Sequence, residues 1–351
     1  MGESPSSCGR PASAVADEGT PPGRHAQKVA ARSAQLAGAG TRAIVAAMDA
    51  LLMVQALTRR FGRTPAVAGL DFRLCAGEVV GLLGPNGAGK TTCLRILAGL
   101  LAPTSGRVVI AGHDMQHSPQ RAKRHIGYLP ERPPLYPEMR VEEYLTQVAR
   151  LRGIPPGAVT RAVGRALRRC GLDAARRRLL GRLSKGYRQR AGLAAALVHE
   201  PELVILDEPT DGLDPVQMRE VRGLIAELAE RSAVLVSSHA LAEVQASCRR
   251  VLVLDRGRLL HDGPLDAPRA LRVRLARPPA PAALAALTSV ATATAEAGAP
   301  GTFRVQLGAD ADAEQLAAGL VAAGWGLLEM MPERTDVERL FFRSVGMEAA
   351  A

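Results

Sequence analysis

One eight-residue segment constrains this chain more than any other. Gly84-Pro85-Asn86-Gly87-Ala88-Gly89-Lys90-Thr91 fits the spacing G-x-x-x-x-G-K-[ST], and it lies between the strand-like run Val79–Leu83 and the helix-like stretch Thr92–Ala98. Strand, tight loop and helix in that order form a phosphate cradle. The glycines let backbone N–H groups wrap phosphate oxygens, and the helix turns its positive end toward them. Lys90 then reaches the terminal phosphates, and the Thr91 hydroxyl is placed for magnesium. The chain has four lysines, Lys28, Lys90, Lys123 and Lys185, against 41 arginines, so a compact ammonium is kept here in a sequence that otherwise uses guanidinium. A chance glycine-rich turn would not account for the strand and helix on either side.

Leu203-Val204-Ile205-Leu206-Asp207-Glu208 reads as a strand buried on both faces that ends in two carboxylates. Alone it is equally well a strand capped by acids at a turn. Beside a phosphate loop, Asp207 becomes a candidate for holding magnesium and Glu208 for polarising an attacking water. Further strand-like runs at Val67–Leu74, Glu78–Leu83, Arg107–Ile110, Ala233–Ser237 and Arg250–Leu254 alternate with helical stretches rich in Ala, Leu and Arg. That alternation predicts an α/β unit whose largely parallel sheet is covered by helices on both faces. An Arg-rich helical insert over about 141–197 separates the early strands from the late ones.

With 351 residues, 47% of them apolar, the chain can build one large domain or two. Residues 1–49 are rich in Ser, Pro, Gly and Ala without a period and predict a disordered tail; residues 50–265 hold the α/β unit. Beyond Gly263, a joint at Pro264 and Pro268 leads into residues 266–351. There Leu271–Leu275 and Thr302–Leu307 alternate as half-buried strands, and Pro281–Leu287 and Ala313–Ala323 read as helices, predicting a small α+β domain. Its last helix opens with the capping box Thr335-Asp336-Val337-Glu338. No apolar run approaches the ~18 residues of a membrane span. The five cysteines (Cys8, Cys75, Cys93, Cys170, Cys248) form no C-x-x-C pair, the pattern of a reduced cytosolic chain rather than a disulfide scaffold.

The formal charge of +11 is local. Between Arg140 and Arg190 stand 13 arginines and Lys185 against Glu142, Glu143 and Asp173, so this window carries the whole excess. It suits an anionic partner such as nucleic acid or lipid headgroups, or equally a set of solvated helix faces.

Five more segments complete the pattern: Leu183-Ser184-Lys185-Gly186-Tyr187-Arg188-Gln189-Arg190, with Ser184 23 residues before Asp207; Gly212-Leu213-Asp214-Pro215; Ser237-Ser238-His239; Tyr128-Leu129-Pro130-Glu131; and Arg59-Arg60-Phe61-Gly62. With the phosphate loop and the acidic strand end, they resemble the ATP-binding-cassette (ABC) ATPases over roughly residues 52–263. The resemblance implies a P-loop NTPase fold with a helical signature subdomain, and ATP and Mg2+ as ligands. It implies nucleotide contacts from Gly84 through Thr92, adenine stacking on Phe61 worth ~1–3 kcal/mol, and Thr91, Asp207 and Glu131 as metal-site groups. A core phenylalanine is the rival reading of Phe61.

In this family two chains pack head to tail. Ser184, Lys185, Gly186 and Tyr187 then form a signature facing the nucleotide of the other chain, where Ser184 and Gly186 cap the γ-phosphate held by Lys90. Asp214 falls in the D-loop. Glu208 is the implied general base, and His239 contacts the γ-phosphate. Two positions depart from the common pattern. Glu131 stands where Gln is usual and cannot donate a hydrogen bond while ionised, although it can ligate a hard cation. Lys185 and Tyr187 replace the usual Gly and Gln. Both variants, with the C-terminal extension, resemble gliding-motility and multidrug export ATPases. The implied function is the ATP-hydrolysing subunit of a transporter, an exporter by resemblance alone, working on a separate membrane permease as a homodimer or heterodimer at the cytoplasmic face of the membrane. A soluble ABC ATPase acting on nucleic acid or ribosomes is the alternative. It is disfavoured by the single phosphate loop and the absence of sustained heptads. A non-hydrolysing partner subunit is disfavoured by the presence of Lys90, Asp207, Glu208 and His239.

Overall fold

The computed structural model describes residues 50–265, 270–333 and 335–345; the expectations for residues 1–49 and for Pro268 lie outside them. The described chain opens with the antiparallel hairpin β1 (Ala50–Phe61) and β2 (Thr64–Cys75). β3 (Val79–Leu83) then runs into the phosphate loop and α1 (Lys90–Leu97). β4 (Ser105–Ile110), β5 (His113–Asp114), α2 (Pro119–Arg124) and β6 (Ile126–Leu129) follow. The basic insert folds as α3 (Val141–Leu151), α4 (Pro156–Arg169) and α5 (Lys185–Leu197). β7 (Leu203–Asp207), α6 (Pro215–Ala229), β8 (Ala233–Ser238), α7 (Leu241–Ser247), β9 (Arg250–Asp255) and β10 (Arg258–Pro264) complete this part.

The central sheet has the order β10-β9-β3-β8-β7-β6 and is parallel except at its β10 edge. Two of the expected strands are not in it. Val67–Leu74 and Arg107–Ile110 fall in β2 and β4, which belong to a separate antiparallel sheet, β2-β1-β4-β5. For β2 the reason is chain connectivity: only Gly62 and Arg63 join it to β1, and a parallel pair needs a crossover of a dozen or more residues; β4 pairs antiparallel with the other edge of β1. The covering layers differ accordingly. Val204 and Leu206 of β7 pack into a core with α3 to α6, whereas Leu203 and Ile205 pack into one with α1 and the antiparallel sheet. One face of the sheet is therefore covered by helices and the other by a helix and a second sheet. Burial on both faces explains why β7 shows no polar alternation.

The C-terminal part is β11 (Ala270–Leu275), α8 (Pro281–Ala285), β12 (Val290–Ala295), β13 (Thr302–Leu307), α9 (Ala313–Ala322) and β14 (Leu327–Pro332). The strand order β12-β13-β11-β14 makes it a split βαβ unit, the ferredoxin-like βαββαβ arrangement. Leu271, Val273, Phe303 and Val305 face Leu284, Leu316 and Leu320 of the two helices in one core. Sequence patterning missed β12, a Val-Ala-Thr run with little apolar contrast, and β14, whose alternation is broken by a bulge near Leu328. The final helix α10 (Asp336–Ser344) opens with the expected capping box and returns to pack on β9. Among the described residues no helix is long and apolar enough to cross a membrane.

Candidate functional site

The parallel register decides where the site lies. β3 pairs with β8 so that Leu83, the last residue before the phosphate loop, lies beside Ser238, and β7 pairs with β8 so that Asp207 lies beside Ser237. The carboxyl ends of three strands thus meet at the loop, as expected for a ligand site on an open parallel sheet. The loop is held tightly on both sides. A Cβ at Gly84 would come 2.3 Å from the Leu254 carbonyl oxygen, and one at Gly89, with φ at 103°, would come 2.3 Å from that of Ala66. Only glycine fits either position. Loop and helix residues Pro85 through Thr92 line a cleft of about 460 Å³ together with Ala66, Glu131, Glu208, Asp211 and His239.

Lys90 is buried at the floor of this cleft. Its ammonium donates to the Gly84 carbonyl at 2.7 Å and lies 3.7 Å from Glu208 Oε1. Burial lowers its pKa from the ordinary lysine value, and the nearby carboxylates of Glu208, Asp207 and Glu131 oppose that. Asp207 is 1% exposed, and burial raises its pKa, opposed by hydrogen bonds from Ser237 Oγ at 2.7 Å and from Thr91 Oγ1 at 3.4 Å. Its other oxygen, Oδ2, is buried with no partner. A buried acceptor left unpaired beside a threonine hydroxyl is a costly arrangement in isolation and a fitting donor set for a hard cation.

Glu208 adopts φ of 49°, a left-handed conformation unusual for a residue with a side chain. Its N–H donates to Ser237 Oγ at 3.0 Å, which helps hold that backbone in place. The turn aims the carboxylate at His239, whose Nδ1 lies 2.9 Å from Glu208 Oε2. An ionised carboxylate only accepts, so this contact selects the tautomer with the proton on Nδ1. Lys90, Glu208 and His239 form a chain of polar groups along one wall. Behind them Glu243, on α7, accepts from Thr210 Oγ1 at 2.9 Å and Ser238 Oγ at 2.8 Å. Ser237, Asp211 and Glu243 were not singled out by sequence reasoning. The polar pair Ser237-Ser238 at the end of an apolar strand was the available signal for the first.

Of the other expected site residues, only Glu131 also reaches this cleft. Phe61 is 51% exposed, with the Arg59 guanidinium 4.8 Å from its ring centre; it is neither a core residue nor part of the cleft wall, where Ala66 stands instead. Glu131 is exposed at the cleft edge. Ser184 is the N-cap of α5 and accepts from the Tyr187 N–H, while Asp214 caps α6 by accepting from Val216 and Gln217. Neither residue lines the cleft of its own chain. The two helix starts touch: a Cβ at Gly186 would come 2.1 Å from Gln217 Oε1, and Lys185 Nζ donates to Asp211 Oδ2 at 2.8 Å. Tyr187 packs against the helical core.

The basic window is partly neutralised from outside itself. Arg165 pairs with Glu200, Arg169 with Glu227, Arg190 with Glu220 and Lys185 with Asp211. Burial pushes the thiols of Cys93, Cys170 and Cys248 up to about 12, which leaves them as packing groups rather than nucleophiles.

Residues 67–211 match the family model described as ABC transporter. Curated relatives include the uncharacterized ABC transporter ATP-binding protein YxlF of Bacillus subtilis (strain 168), 39% identical over 62% of this chain and 72% of that one. The bacitracin transport ATP-binding protein BcrA of Bacillus licheniformis is 38% identical over 62% of this chain and 71% of its own. The probable multidrug ABC transporter ATP-binding protein YbhF of Escherichia coli (strain K12) is 39% identical over 61% of this chain, which spans 38% of that longer protein. Among solved structures, an ATP binding subunit of an ABC transporter superposes with a TM-score of 0.58 at 32% identity, covering 62% of this chain and 90% of that one. The dimeric cassette MJ0796 in a post-hydrolysis state bound to ADP and Pi matches in fold, with a TM-score of 0.57 at 22% identity over 62% of this chain and 99% of its own.

Proposed function

The chain belongs to the ABC transporter ATP-binding proteins, and from that membership we propose that it drives an exporter by head-to-tail dimerisation on a separate membrane permease, with Glu208 as the general base of hydrolysis. The carrying observation is the Lys90–Glu208–His239 wall, with separations of 3.7 and 2.9 Å, beside a phosphate-sized loop. Phosphoryl transfer asks for positioning and charge neutralisation more than covalent chemistry. Backbone N–H groups of the loop and the start of α1 hold phosphate oxygens, and Lys90 leaves Glu208 for the β- and γ-phosphates. That departure frees the Glu208 carboxylate to accept a proton from water, while His239 orients it and faces the γ-phosphate.

Thr91 and Asp207, with Glu131 at the cleft edge, are the groups that would hold magnesium, which when bound neutralises phosphate charge. Phe61 stacks on the adenine beyond the cleft. In the dimer, Ser184 and the start of α5 close the γ-phosphate side of the other chain's site, with Lys185, Gly186 and Tyr187, and Asp214 lies at the seam. The separate cores of the α/β unit and of the βαββαβ unit support domain limits near 50–265 and 266–351, although α10 returns to the core of the first. A groove of about 570 Å³, lined by Leu100, Tyr128, Pro133 and Tyr144 and also by Arg95, Arg132 and Arg152, supports docking of a permease segment beside Glu131. Relatives whose names mention bacitracin transport and a multidrug transporter support the transport reading.

The test is to purify a tagged Glu208→Gln chain from detergent-solubilised membranes with ATP present and identify what accompanies it by mass spectrometry. A multi-span protein in near-equal amount supports the reading. Recovery with ribosomal or nucleic-acid proteins alone overturns the transport part and leaves the ATPase intact.

A further inference from the structure

Helix α10 is separated from the α/β unit in sequence by the whole βαββαβ unit, yet its buried residues share a core with β3, the strand that leads into the phosphate loop. Val337 and Phe341 share one apolar cluster with Leu83, the residue before the phosphate loop, and with Leu241, Val244, Val251 and Val253. Leu241 begins α7 two residues after His239. α7 has no slack against the sheet, since a Cβ at Gly81 would come 2.4 Å from Val244 Cγ1. The Glu338 carboxylate does two jobs: Oε2 accepts from the Thr335 N–H at 2.7 Å to cap its own helix, and Oε1 accepts from Gln245 Nε2 of α7 at 2.8 Å. α7 in turn carries Glu243, which grips Ser238 beside His239 and Thr210 two residues beyond Glu208. At its other flank, Arg339 of α10 lies 3.8 Å from Glu333, which also pairs with Arg304 on the open face of the C-terminal sheet.

We propose that α10 is a brace for the catalytic wall: by holding α7 it sets, through Glu243, the segments that bring His239 against Glu208, and it ties that alignment to the position of the βαββαβ unit. Phe341, Val337, Gln245 and Glu338 are positioning residues in this scheme. It rests on the reading of Glu208 and His239 as hydrolytic groups. Their geometry governs the chemical step, whereas ATP is held chiefly by the loop and Lys90, and no described residue of α10 lines the cleft. Loosening the brace therefore slows hydrolysis without releasing nucleotide.

The test uses the full chain. Phe341→Ala and the surface variant Gln245→Ala are compared with wild type for thermal unfolding, ATP affinity by equilibrium titration, and single-turnover hydrolysis with magnesium present. The expected result is ATP affinity within about twofold of wild type, hydrolysis slowed about tenfold in Phe341→Ala and about threefold in Gln245→Ala, and recovery in Phe341→Leu. A wild-type rate in both variants, or a loss of affinity in proportion to the rate, overturns the brace. Should Phe341→Ala not fold, Gln245→Ala decides alone. Glu208→Gln, run alongside, separates the two layers. Normal hydrolysis in that variant overturns the reading of the site, and its inactivity beside wild-type brace variants overturns only the brace.

Discussion

The six-stranded central sheet and the C-terminal sheet of this molecule treat charge in opposite ways. Apart from its exposed β10 edge, the six-stranded sheet is parallel and buried on both faces, and buried charged groups gather where its strands end, with Lys90, Asp207 and Glu208 each less than a tenth exposed. The four-stranded C-terminal sheet covers one face with helices and leaves the other open, where Arg272 pairs with Glu296 and Arg274 with Glu329 at about half exposure. Exposed pairs of this kind cost little to make and contribute little. Buried charges are costly unless something completes them. The orphaned Asp207 Oδ2 and the left-handed Glu208 mark a place where stability is spent on readiness for a ligand.

The largest expected effect lies at the buried end of this contrast. Glu208→Gln should lower single-turnover ATP hydrolysis by about 10²–10⁴-fold with ATP affinity retained, the range associated with loss of a general base. Next comes Lys90→Ala, expected to weaken ATP binding about tenfold or more in equilibrium titration, the worth of a charge-assisted hydrogen bond. The wild-type protein should show the same dependence in its pH profile. Burial lowers the Lys90 pKa, so between that lowered value and the ordinary one the folded chain holds fewer protons than the unfolded chain. Stability of the nucleotide-free protein therefore rises with pH across that window, while ATP affinity falls as the ammonium is lost.

A smaller effect of opposite sign to the usual mutational loss is expected at Asp207. Its pKa is raised by burial, so the native state loses stability as pH rises through that value. Asp207→Asn removes the charge and should stabilise the nucleotide-free protein at neutral pH by about 1 kcal/mol in denaturant unfolding, while magnesium-dependent nucleotide binding declines. The smallest effect belongs to the open sheet: Arg272→Ala and Arg274→Ala should each change stability by less than about 0.5 kcal/mol. A larger loss at either arginine, or no gain in stability from Asp207→Asn, would erase the distinction between the two sheets.

Much of the site was legible in the sequence because its local rules are strict. A glycine at 89 is required by a positive φ and by the Ala66 carbonyl, and the strand end at Asp207-Glu208 is announced by four apolar residues in a row. Phe61 was less legible. The pattern names an aromatic but not whether a cleft wall reaches it, and Ala66 lines the cleft in its place. β6, four residues with a glycine inside, carries no periodic signal and exists because it pairs with β7. β12 and β14 are likewise held by neighbours rather than by their own patterning.

The sequence by itself determined the phosphate loop, the acidic strand end, the buried strands and the capped helices, because each depends on residue types at short fixed spacings. Tertiary structure alone decided that β2 and β4 form a second, antiparallel sheet, that Ser237 orients both Asp207 and Glu208, and that α10 comes to lie beneath α7. The Gln245–Glu338 hydrogen bond joins residues 93 positions apart. No spacing rule reaches that far, since such contacts arise only when separately encoded elements bury their apolar faces against one another.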